Sequence, residues 1–179
     1  RPDYLIVGEV RGAEAYTLFQ AMATGHLGMG TIHGESVSSV IHRLGSEPMN
    51  IPRPLLTMID AVTVQLRTEV DGKPARRTHT VTEIVGLDPR TQELLTNEVY
   101  QWDARNDVFL YSGRSNILEE KRKRLGLSVE EVREELHRRK TVLDWMVKKE
   151  IRRYPDVVAV IRDYYADSAR VYRKARLGM

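Results

Sequence analysis

The chain opens on an apolar run that does not alternate, Tyr4-Leu5-Ile6-Val7, closed by Gly8-Glu9 and bracketed by Pro2 and by Arg11-Gly12. A run of this length with no polar face predicts a strand covered on both sides, as in a parallel α/β sheet. Ala15, Leu18, Phe19, Met22 and Ala23 then share one stripe, which predicts a helix over 13–24 ended by Gly25. Gly28 to His33 predicts a second short strand whose glycines allow close backbone approach. Ser36 is placed to cap a further helix through Leu44, with Val37, Val40, Ile41 and Leu44 apolar. Strand, helix, strand, helix at this spacing argues for βαβ units.

The pattern then changes. Prolines at 48, 52 and 54 mark a rigid loop, and 55–61 reads as a short helix. Val62 to Arg67 alternates, Asp71-Gly72 is a hairpin turn, and Thr78 to Val85 alternates again. A second turn at 87–91 leads into a third strand over 93–102, which completes an antiparallel meander. From Ser115 onward the periodicity is helical. Ser128-Val129-Glu130-Glu131 is a capping box, and Val129, Val132, Leu136, Leu143, Met146, Val147 and Ile151 recur at helical spacing. This predicts one long helix broken by Pro155, and Val157 through Tyr172 predicts one last helix. The fold class is α/β, with three segments: 1–66, 67–113 and 114–179.

Composition narrows the classes. The chain has 179 residues, 41% apolar and 30% charged, the size of one domain or of one domain with an appendage. It has no cysteine, which excludes disulfides, iron–sulfur clusters and thiolate zinc sites. No apolar run approaches the roughly 18 residues that a membrane helix needs. The chain begins Arg1-Pro2-Asp3 and runs straight into a strand, so we expect a piece of a longer protein. Charge is uneven: residues 1–113 hold 10 Lys and Arg against 14 Asp and Glu, whereas residues 114–179 hold 18 against 11. That basic end could meet nucleic acid, acidic lipid or an acidic protein face, but its interleaved glutamates favour a solvated helix surface.

Chemistry concentrates early. Glu9 lies just beyond an apolar strand, where α/β folds place their ligands, and a carboxylate there can orient or deprotonate a water. His33 ends the second strand. If the two strands are parallel neighbours, Glu9 and His33 open onto one crevice. Arg1, Arg11, Arg43 and Arg53 cluster near the same elements, and arginine suits a phosphoryl group. The five histidines (26, 33, 42, 79 and 137) do not form a metal-ligand spacing. Gly25-x-x-Gly28-x-Gly30 is a glycine-rich turn, not a dinucleotide fingerprint, and Gly-x-x-x-x-Gly-Lys-Ser/Thr occurs nowhere in the chain.

Residues 1–12, with Gly8-Glu9-Val10-Arg11-Gly12, resemble the Walker B segment of the secretion ATPases of the type II and type IV pilus superfamily. Ala23-Thr24-Gly25-His26-Leu27-Gly28-Met29-Gly30-Thr31-Ile32-His33 resembles their histidine box, at the expected distance, and the wording is closest to the archaeal branch, which includes archaellum motor and pilus-assembly ATPases. The resemblance implies the C-terminal part of a RecA-like core over 1–66. It implies a hexameric ATPase using ATP and Mg2+ at the cytoplasmic face of the membrane, partnered by a membrane-embedded platform protein. Motif for motif, Glu9 becomes the residue that activates water, with His33 catalytic beside it. His26, Arg11 and Arg1 become phosphate contacts, and Arg43 takes a structural or inter-subunit role. Magnesium is reached through water near Glu9, with no direct protein ligand. The family's phosphate loop precedes the Walker B segment, so this chain alone is expected to bind ATP weakly and to turn over negligibly. A different class of reading is a non-catalytic module whose basic helices dock a membrane partner or nucleic acid; with no nucleic-acid motif, nucleic acid ranks low.

Overall fold

The computed structural model describes residues 2–179 and divides the chain into two compact units, one ending at Ile117 and the other spanning Leu118–Met179. Two sheets and seven helices are formed among the described residues, a mixed α/β architecture.

The first unit starts with β1 (Tyr4–Val7), α1 (Glu14–Ala23) and β2 (Leu27–Gly30). β1 and β2 pair in parallel, Tyr4 opposite Leu27 and Val7 opposite Gly30. Leu5 and Val7 face inward onto a core of Ala15, Leu18, Phe19, Val40, Leu44, Met49, Ile51 and Leu56. The inward positions of β2 are Gly28 and Gly30, and there a reason for glycine is visible. A Cβ on Gly28 would collide with the side chain of Met22, and one on Gly30 would press against Val10 and Leu18. The missing side chains let α1 lie close on the strand pair. The outward positions Tyr4, Ile6, Leu27 and Met29 are all more than half exposed. Parallel strands are ordinarily covered on both faces, so this face is an incomplete one.

α2 (Val37–Gly45) follows, its N-terminus held by a Ser36–Ser39 capping box. α3 (Arg53–Leu56) is one turn, shorter than the helix expected over 55–61, because β3 (Ala61–Val70) already begins at Ala61. β3, β4 (Lys73–Leu87), β5 (Leu94–Asp103) and β6 (Val108–Tyr111) form an antiparallel sheet in that order. β6 was not anticipated. It is a hairpin return after a turn locked by Asp107, which takes Nε and Nη2 of Arg77 at 2.7 Å each and Trp102 Nε1 at 2.9 Å. Those bonds hold the Asp107 carboxyl down at about 2, the guanidinium contributing most.

Glu83 on β4 is 3% exposed and has no cationic partner among the described residues. It accepts Ser115 Oγ at 2.5 Å, the Asn116 amide at 2.7 Å, the Ile117 amide at 3.4 Å and Asn97 Nδ2 at 3.2 Å. Burial opposes its ionisation, yet these donors outweigh burial and its carboxyl lies below the ordinary value. Ser115 and the first amides of α4 (Asn116–Leu125) are thereby moored to the sheet.

The second unit holds α4 from Leu118 onward and then α5 (Val129–Lys148), α6 (Tyr154–Ala166) and α7 (Ser168–Leu177). α5 starts at the anticipated Ser128–Glu131 box. Two expectations are corrected. Pro155 does not break the long helix: α5 ends at Lys148, and Pro155 sits in the first turn of α6, where its missing N–H costs nothing. The last helix is two helices, divided at Asp167, whose side chain caps α7 by accepting the Arg170 amide. Val142, Trp145, Met146, Tyr164, Val171 and Ala175 form the core.

Candidate active site

Each site residue sits where strand chemistry ends and loop chemistry begins. Past Val7 the chain leaves the sheet at Gly8, and past Gly30 at Thr31. The pairing outlasts the strands: the Val10 amide donates to Thr31 O at 2.8 Å, and Thr31 Oγ1 donates to Gly8 O at 2.5 Å. These two bonds tie the loops that carry Glu9 and His33. Parallel pairing turns both loops to one edge, and His33 Nε2 stands 3.1 Å from Glu9 Oε1. The two do not align as a hydrogen bond, and among the described residues Oε1 has no aligned donor. The other oxygen, Oε2, accepts Arg11 Nη2 at 2.5 Å. That bond chiefly sets the Glu9 carboxyl below its ordinary value against partial burial, with the charge of Arg11 and the neighbouring His33 and Arg43 adding to it. Glu9 is therefore an ionised carboxylate whose one oxygen is held by a guanidinium and whose other faces an imidazole.

Arg43, on α2, donates Nη1 to His33 O at 3.1 Å and so fixes the second loop from the helix side. Glu9, His33, Arg11 and Arg43 are brought together. His26 is not. It precedes β2 whereas His33 follows it, so the two lie at opposite ends of that strand. Its Nδ1 lies 3.1 Å from Ala21 O, so His26 closes the C-terminus of α1. Arg1 lies outside the described residues. Two residues were overlooked. Thr31 ties the loops, as above. Glu14 accepts the Arg11 amide at 2.7 Å and the Gly12 amide at 2.9 Å. A carboxylate opening a helix right after Arg-Gly was the available signal for the second.

A carboxylate at the C-terminal edge of a parallel pair, with an imidazole and two guanidinium groups around it, suits an attacking water and a phosphate. Among the described residues no cluster of His, Asp and Glu could hold a metal ion directly.

The comparisons with known proteins fall in the same direction. The chain belongs to the type II/IV secretion system protein family, within the ATPase superfamily; the family model matches residues 1–121. A PilB3-like C-terminal model matches residues 105–177. It is similar to the uncharacterized protein MJ1287 of Methanocaldococcus jannaschii, 47% identical over 139 residues that make up 78% of this chain and 52% of that protein. It is 36% identical to MJ0900 of the same organism over 169 residues, 92% of this chain and 31% of that protein. Type II secretion system protein E of Pseudomonas aeruginosa is 33% identical over 92 residues, 49% of this chain and 18% of that protein. The chain thus spans about half, or less, of the length of these relatives. No helix among the described residues is long and apolar enough to cross a membrane.

Proposed function

We propose that this chain is the C-terminal part of an ATPase that drives assembly or secretion in a type IV pilus, archaellum or type II secretion machine. The observation that carries the reading is the approach of Glu9 and His33 to 3.1 Å on one edge of the parallel pair. In this reading the ionised Glu9 carboxylate orients the attacking water and takes its proton. His33 faces the same water or the phosphoryl oxygens it attacks. Arg11 holds Glu9 through Nη2 while its guanidinium adds positive charge beside the developing phosphate, and Arg43 keeps the His33 loop in place. Bound magnesium would supply charge neutralisation on the nucleotide. The residues present fit the hydrolytic edge of such a site; the phosphate cradle has no counterpart in this sequence, so binding of ATP falls to the rest of the protein.

The proposed partners follow from the same reading: identical subunits in a hexameric ring, and a membrane-embedded platform protein at the cytoplasmic face. The incomplete face of the parallel pair is covered in the complete protein. The basic second unit, 17 Lys and Arg against 11 Asp and Glu in 118–179, is the docking part.

The test is Glu9→Gln in the complete protein. Hydrolysis falls about a thousandfold while ATP binding stays within a few-fold. Unchanged turnover would overturn the reading.

A further inference from the structure

The Glu9 carboxylate does not hold its position unaided. It sits on a loop, at the end of a chain of contacts that begins two to five residues downstream. Arg11 reaches back to it with Nη2. What, then, holds Arg11? Its guanidinium is largely in solvent, its side chain being 70% exposed, so packing does not fix it. Its backbone is fixed instead. The amides of Arg11 and Gly12 both donate to Oε1 of Glu14.

This is not ordinary helix capping. The N-cap of α1 is Ala13, which has no capping side chain, and Glu14 is the first residue of the helix. A capping side chain satisfies amides inside the first turn. Glu14 reaches the other way, to amides that precede the N-cap and belong to the loop. The helix is joined to that loop by Ala15 N to Gly12 O and Tyr16 N to Ala13 O, both 3.1 Å. The position of Gly12 fits the same device: a Cβ there would stand 3.1 Å from Glu14 Oε2 and crowd the carboxylate. Helix α1 is the most firmly packed element nearby, with Ala15, Leu18 and Phe19 buried. The loop is anchored on one side by buried Val10, whose amide donates to Thr31 O, and Glu14 ties its other side, at Arg11 and Gly12, to a packed helix.

We propose that Glu14 is a positioning residue of the site: by pinning the Arg11 and Gly12 backbone, it aims the Arg11 guanidinium so that Glu9 is held facing His33. The inference rests on the ATPase reading above and names a further residue for it. Glu14 touches neither substrate nor reacting atoms; it acts through Arg11.

The experiment uses the complete protein with four variants, Glu14→Ala, Glu14→Gln, Arg11→Ala and the Arg11→Ala/Glu14→Ala double, and with Glu9→Gln as control. Glutamine keeps an oxygen that accepts both amides; alanine keeps none. Glu14→Ala lowers kcat about tenfold with KM for ATP within twofold, and Glu14→Gln restores most of that loss. In the Arg11→Ala background, Glu14→Ala costs no further activity, because the link it acts through is gone. Independently of turnover, amide hydrogen exchange in segment 10–14 quickens in Glu14→Ala and stays slow in Glu14→Gln. Multiplicative losses in the double variant, a Glu14→Gln as impaired as Glu14→Ala, or unchanged exchange would each overturn the inference. If Glu9→Gln retains full turnover, the ATPase reading itself falls. If Glu9→Gln is inactive while Glu14→Ala is unimpaired, only the role of Glu14 falls.

Discussion

Two carboxylates, Glu9 and Glu83, show how the same functional group is put to opposite uses in one chain. Both lie in the first unit and both ionise more readily than usual, but for different reasons. Glu83 is buried within an inner strand of the antiparallel sheet and met by four donors, two of them backbone amides, with no cationic partner among the described residues. Glu9 lies on a loop, one oxygen on a solvent-exposed guanidinium and the other with no aligned donor. A carboxylate saturated by fixed neutral donors has nothing left to offer a substrate and serves as a mooring. One held by a single movable cation keeps an oxygen for chemistry. Saturation, more than acidity, separates the structural group from the candidate catalytic one.

Mutation should separate them further. The largest effect is that of Glu9→Gln described above, which should remove turnover in the complete protein and leave thermal stability within about 0.5 kcal/mol, since only the charge of a partly exposed loop side chain is lost. Glu83→Ala should do the reverse. It strips partners from four donors in a buried setting and costs about 3 kcal/mol, read as a lower urea midpoint by tryptophan fluorescence. Should Glu83→Ala leave the midpoint in place, the mooring role is wrong.

The pH dependence follows from the sign of the shift at Glu83. Its folded carboxyl titrates below the ordinary 4.5, so its contribution is complete above that value and is lost as pH falls through the depressed one. Glu83→Gln should therefore flatten the fall in stability below pH 4.5 without altering the slope near neutrality. Arg77→Lys comes next, at about 1 kcal/mol, because a lysine cannot reproduce the two-pronged grip on Asp107. Smallest is Glu134→Gln on the surface of α5, where the i,i+4 pair with Arg138 is worth about 0.3 kcal/mol and should vanish in high salt.

Much of the parallel pair was legible from residue order alone, because a doubly apolar run, a glycine stop and a Ser36 cap are local signals. The approach of Glu9 to His33 followed from one topological inference, that the two strands are parallel neighbours. What stayed hidden was non-local or disguised. Glu83 occupies an unremarkable place in an alternating strand, and only the return of Ser115 and Asn116 reveals its use. Asp167 reads as a polar residue inside a helix until its side chain is seen to start a new one. His26 shares a motif with His33, but a strand lies between them, and a motif records order without recording length. β6 is four exposed apolar residues after a turn whose lock, Arg77, lies thirty residues upstream.

The alternation Leu-Gly-Met-Gly in β2 reaches beyond packing. Were the second strand to slide by a single residue along the first, Leu27 and Met29 would be thrust beneath α1, into space only wide enough for hydrogen atoms. The steric veto on that slip also forbids His33 from drifting off its rung opposite Glu9. The register that sets His33 against Glu9 is guarded by two absent side chains, so an alanine at Gly28 would disturb that pair at a distance, through a collision with Met22.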